Sequence, residues 1–128
     1  MSGAHEFSDS AGVDAAFWAM ADRLLATSRI VIDRPRGTPH PRYPALIYPL
    51  DYGYLEETQA MDGGGIDVWV GTTNSGRIEA LVCTLDLLKR DAEVKLLIGC
   101  SEHEQQIVLR FANNSGLQRG LLIPRSAG

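Results

Sequence analysis

The sequence predicts an α+β domain, a small and partly open β-barrel flanked by two helices. Three observations carry that expectation. Short apolar runs with strand character recur at residues 29–33, 66–71, 78–85 and 94–100. Two other segments, 13–28 and 101–113, repeat apolar residues at helical spacing. Turn-forming glycine, proline and asparagine separate these runs, with neither an internal repeat nor a linker between them. A chain of 128 residues makes one domain with room for a core. Residues 1–11 read as a polar, flexible tail and 12–128 as the domain.

Taken in order, the first helix should bury Phe17, Met20, Ala21 and Leu24. A strand at 29–33 then runs into 34–44, where four prolines and a glycine forbid regular structure and predict an exposed, pre-ordered arm. The strand at 66–71 is bounded by the glycine turn 62–65 and by residues 72–76. Strands at 78–85 and 94–100 are joined through Lys89, Arg90 and Asp91. Ser101 followed by Glu104 is a capping box, so a helix should begin there and bury Ile107, Val108 and Phe111. Asn114 to Gly116 ends it, and a last short strand covers 121–124.

Composition narrows the function classes. No apolar run approaches the ~20 residues that span a bilayer, so no membrane role is expected. The first residues lack the charged and apolar regions of a secretory signal, which with two cysteines in apolar runs predicts a cytoplasmic protein with reduced, buried thiols. Cys100 and His103 have a ligand-like spacing, but without a second pair that is weak evidence for zinc. The net charge of −4 argues against a nucleic-acid partner. It is unevenly spread: residues 29–42 hold four arginines and one acid, whereas 51–93 hold nine acids and three bases. Two solvated faces would look like this, and so would a polyanion site built from cations and arginines.

Three motifs carry chemistry. Asp62 and Asp67 bracket three glycines, so the turn can bring two carboxylates together, an arrangement that calls for a cation between them. Taken alone, the motif is more often an ordinary glycine turn capped by its aspartates. Tyr48, Tyr52 and Tyr54 lie just before it and offer phenol donors, although aromatic packing accounts for at least one of them. Asp91, Glu93 and Lys95 alternate along a strand and share one face. Such a stripe is usually solvated.

In this order the motifs resemble the soluble, type I inorganic pyrophosphatases. That family has a Tyr-Pro-x-x-Tyr-Gly-Tyr segment, matched by residues 48–54. It then has a signature of three aspartates, of which Asp62 and Asp67 match the first and third, and later two acids followed by a lysine, matched by Asp91, Glu93 and Lys95. The resemblance covers about half of the chain. It implies an OB-like barrel, Mg²⁺-dependent hydrolysis of pyrophosphate (Mn²⁺ being a possible substitute) and homo-oligomeric assembly. It also implies metal ligands at Asp62, Asp67, Asp91, Glu93 and Asp33, with Asp67, Arg42, Tyr52 and Lys95 acting on the substrate.

The departures fall on catalysis. Gly64 replaces the middle aspartate, which in the family helps to deprotonate the attacking water, and Pro44 replaces a further metal-site glutamate. The hairpin that carries a phosphate-binding arginine is missing, and the last helix lacks the family's Tyr-Lys pair. A slow pyrophosphatase, a non-catalytic phosphate- or nucleotide-binding protein, and a hydrolase of another phosphoanhydride are the three readings left.

Overall fold

The computed structural model describes residues 10–60 and 63–125, with only the backbone for 10–13. Among the described residues eight elements follow one another: α1 (Ser10–Ala26), β1 (Ile30–Arg34), β2 (Asp51–Leu55), β3 (Asp67–Val70), β4 (Ile78–Asp86), β5 (Asp91–Ile98), α2 (Glu102–Ala112) and β6 (Gln118–Pro124). The strands form one mixed sheet in the order β1-β2-β3-β5-β4-β6. Neighbours are antiparallel except β3 and β5, which run parallel. The edges β1 and β6 do not pair with each other, so the barrel is open, and two helices flank it. Among the described residues no helix is long and apolar enough to cross a membrane.

Each face of the sheet carries its own core. On one side α2 packs Val108, Ala112 and Phe111 over Tyr48, Tyr52, Trp69, Val82 and Leu97. The expected capping box starts this helix: Ser101 Oγ accepts the Glu104 N–H at 3.1 Å, and Glu104 Oε1 accepts the Ser101 N–H at 3.0 Å. Glu104 also accepts from the Thr72 N–H and hydroxyl, so one buried carboxylate ties α2 to the end of β3.

On the other side α1 lies over Leu55, Val68, Leu81 and Leu96. The stripe it buries differs from the expected one. Trp18 is buried, with Ala21, Leu24 and Leu25 packed beside it, whereas Phe17 and Met20 are exposed. Arg125 fixes that rotation by pairing with both oxygens of Asp22 at 2.7 and 2.8 Å and lying over the Trp18 ring. The helix also starts at Ser10, three positions before the expected 13, while residues 1–9 of the expected tail lie outside the described residues. Beyond the reach of α1, Leu85, Val94 and Leu121 stay exposed on neighbouring strands. Cys100 is buried, with its thiol pushed up to about 12 by burial, but Cys83 is only half-buried, and both are free.

Strand β2 has no counterpart in the sequence expectations. Its Gly53 is required by proximity, because a Cβ there would collide with the Val31 carbonyl of β1. Close approach continues to Ile32, after which β1 bulges: Ile32 pairs with Gly53 but Arg34, not Asp33, pairs with Tyr52. One extra residue in a strand exchanges which side chain faces the partner's row. The bulge therefore turns Arg34 toward the tyrosines and leaves Asp33 exposed.

Candidate functional site

Three strands bring one polar group from each to the α2 side of the sheet, and a fourth residue closes the cluster. Tyr52 is the second residue of β2, Asp67 begins β3, and Glu93 and Lys95 alternate along β5. The Lys95 ammonium donates to Tyr52 Oη at 2.7 Å, to Asp67 Oδ2 at 3.0 Å and to Glu93 Oε1 at 3.0 Å. An ammonium has three N–H donors. All three are used.

This arrangement fixes protonation states. Burial opposes the charge on Lys95, but Tyr52, Asp67 and Glu93 outweigh it and raise its pKa, so the ammonium persists. Burial is also the largest influence on Tyr52 and raises its pKa. Asp67 adds to that shift and Lys95 opposes it, and the phenol stays protonated. The cluster thus holds two carboxylates against one cation, a surplus of one negative charge.

The other expected residues are placed as follows. Asp91 shares the face of Glu93 and Lys95 at the start of β5, half-buried. Asp33 stands exposed at the β1 bulge. Arg42 is exposed in the arm, where its backbone N–H donates to His40 Nδ1 at 3.0 Å. Asp62 lies outside the described residues. Gly64 has no side chain to offer, and its carbonyl accepts the Ala60 N–H at 2.7 Å. Among the described residues no three of His, Cys, Asp and Glu converge as a metal cluster.

The sequence offers Tyr48 as a phenol donor, and it gives Arg34 no role beyond the basic arm. Tyr48 is buried where the rings of His40, Tyr52, Trp69 and Phe111 meet it at 5.3–5.9 Å. Arg34 donates through Nη1 to the Tyr48 hydroxyl and lies 5.5 and 5.6 Å from the Tyr48 and Tyr52 ring centres. Strict alternation along 29–33 puts Asp33 on the tyrosine side, so only a signal for the bulge could have revealed Arg34. The arm itself is tied down. Gly37 N–H donates to the Tyr48 carbonyl, Tyr48 N–H to the Thr38 carbonyl, His40 N–H to the Leu46 carbonyl and Arg36 N–H to Asp51 Oδ1. No strand forms between β1 and β2 apart from one bridge of Pro39 with Ile47.

No family model matches the sequence, and no curated protein sequence matches it. Solved structures do. An inorganic pyrophosphatase from Helicobacter pylori superposes with a TM-score of 0.53 at 15% identity, covering 76% of this chain and 82% of that one. One from Coxiella burnetii gives 0.53 at 15% identity over 75% and 84%. One from Thermus thermophilus gives 0.52 at 22% identity over 75% and 81%. The chain therefore has the inorganic pyrophosphatase fold, and the resemblance read from its tyrosine and acidic motifs is supported at the level of architecture.

Proposed function

We propose that this chain, built on the inorganic pyrophosphatase fold, is a metal-dependent phosphoanhydride hydrolase whose substrate is pyrophosphate. The observation that carries the reading is the convergence of Tyr52, Asp67, Glu93 and Lys95 from three strands of that fold. Mg²⁺ is commonly held by one or two carboxylates together with phosphate oxygens. Asp67 and Glu93 fit that role, with Asp62 as a further ligand and Mn²⁺ as an alternative ion. The net charge at the cluster is only one negative, which favours a cation arriving with a phosphate over a cation alone. When bound, the metal would polarise a phosphoryl oxygen and make a coordinated water more acidic.

The chain's own groups do the rest. With Asp67 and Glu93 holding the cation, Lys95 would donate to a phosphate oxygen, and the protonated Tyr52 would donate beside it. Arg42 on the arm adds positive charge to the leaving phosphate. Asp91, on the face of Glu93, would accept the proton that Gly64 cannot. A positioned base contributes roughly 10²–10⁴-fold, so turnover is expected to be slow. Asp33, exposed on β1, takes an outer position toward the metal in the same reading. The proposal extends to a cytoplasmic setting and to homo-oligomers, for which the exposed Leu85, Val94 and Leu121 offer an apolar face.

The missing carboxylate at Gly64 and the saturated Lys95 also favour a second reading, a protein that binds phosphate or nucleotide without turnover. Phosphate release from pyrophosphate with Mg²⁺ or Mn²⁺, compared between wild type and Asp67→Asn, separates the two. Release that Asp67→Asn abolishes supports hydrolysis. Binding without release supports the sensor.

A further inference from the structure

Arg34 is a cation that Asp33 reaches only through space, without an ion pair. Among the described residues it enters no ion pair, and one of its five N–H donors is used, in the bond to Tyr48. It is nonetheless half-buried and held, with its guanidinium carbon 5.5 Å from one ring centre and 5.6 Å from the next. Lys95 borders the same Tyr52 ring at 5.2 Å but faces two carboxylates. A guanidinium fixed against aromatic rings with its other donors unspent suits the oxygens of a phosphate.

The surroundings reinforce this. The His40 ring lies parallel to Tyr48 at 5.9 Å, and Arg34, Lys89 and Arg42 all act on it electrostatically, so the field at this corner is positive. His40 Nδ1 accepts the backbone N–H groups of Arg42 and Tyr43 at 3.0 and 3.2 Å, which leaves the proton of the neutral ring on Nε2 as a donor. The acid of residues 29–42 is Asp33, which the bulge leaves exposed and which acts on Arg34 without forming an ion pair.

We infer that Arg34 anchors a phosphoryl subsite, taking the phosphate of a phosphoanhydride that lies away from Asp67 and Glu93. The inference rests on the proposed substrate class. It differs from a purely structural role, in which Arg34 would only staple the arm to the tyrosines and leave affinity for phosphates untouched.

The test is calorimetric binding of imidodiphosphate, a non-hydrolysable pyrophosphate analogue, in the presence of Mg²⁺. Arg34→Met keeps the apolar stem and removes the donors, Arg34→Lys keeps a point charge, and Arg29→Gln alters an exposed arginine at the other end of β1. Arg34→Met should weaken binding by about 10–100-fold, Arg34→Lys by less, and Arg29→Gln not at all. Melting curves identify any variant that fails to fold, and Arg34→Lys against Arg29→Gln then carries the comparison. Equal affinity in wild type and Arg34→Met overturns the subsite, as does an absence of binding by the wild type. Arg34-dependent binding without phosphate release from pyrophosphate upholds the subsite and overturns hydrolysis. Release whose kcat/KM ignores Arg34→Met does the reverse.

Discussion

Lys95 and Arg34 border the same tyrosine ring, yet they occupy opposite electrostatic situations. Lys95 spends every donor on Tyr52, Asp67 and Glu93 and is enclosed. Arg34 spends one donor on Tyr48 and, among the described residues, forms no ion pair with a carboxylate. The first corner is satisfied without a ligand and carries surplus negative charge, whereas the second carries positive charge that only an anion would neutralise. On the proposed function, a bound cation would belong with the former and a phosphate with the latter. Their separation by a single ring is the spacing problem that a metal-bound phosphoanhydride solves.

The largest break in this comparison should come from Lys95→Met. It leaves Asp67 and Glu93 half-buried and facing each other without their cation, and losing one partner of a buried pair costs about 3–5 kcal/mol. Urea unfolding at neutral pH measures that loss, and added Mg²⁺ should restore more stability to the variant than to wild type.

Gly53→Ala acts on the other corner. The new methyl collides with the Val31 carbonyl, forces β1 from β2 and displaces Arg34, at a cost of about 1–3 kcal/mol or more. Backbone hydrogen exchange should show β1 opening while β5 stays protected.

Glu104→Ala should cost about 1–2 kcal/mol by removing the cap and the link to Thr72, without touching either corner. Burial, the largest influence on Glu104, opposes its charge. The donors of Ser101 and Thr72 outweigh that and lower its pKa. Its contribution is therefore full above the ordinary value of 4.5 and is lost as pH falls below it. The variant's acid-unfolding curve should be correspondingly flatter.

The smallest effect concerns His40. Burial, followed by Arg34, Lys89 and Arg42, lowers its pKa below 6.5. The unfolded chain then binds the proton first as pH drops, so stability is full above 6.5 and declines below it. His40→Gln should remove that decline between pH 7 and 5, and Arg34→Met should reduce it.

Much of this architecture was legible in the sequence, for local reasons. Ser101 and Glu104 announce the start of α2, because a capping box needs only two residues at fixed spacing. Alternation along β5 places Asp91, Glu93 and Lys95 on one face, because a regular strand leaves no other choice. Strand β2 was hidden because Asp-Tyr-Gly-Tyr-Leu carries a glycine and no β-branched residue. That glycine serves the contact with β1, which is a tertiary requirement. The face of α1 was misread for a similar reason. Phe17 and Trp18 are both apolar, and the Arg125–Asp22 pair, 103 positions apart, decides which one turns inward. Arg34 was hidden by one residue of bulge, which no periodicity reveals.

The proposed function requires this fold, without a carboxylate at Gly64, to hydrolyse pyrophosphate at the Asp67–Glu93–Lys95 cluster. Phosphate release from pyrophosphate, followed across a Mg²⁺ titration for wild type, Asp67→Asn and Arg29→Gln, tests it most directly. The account predicts slow, metal-dependent release by wild type and Arg29→Gln and none above background for Asp67→Asn. Release that is absent from wild type, or that Asp67→Asn leaves unchanged, would contradict it.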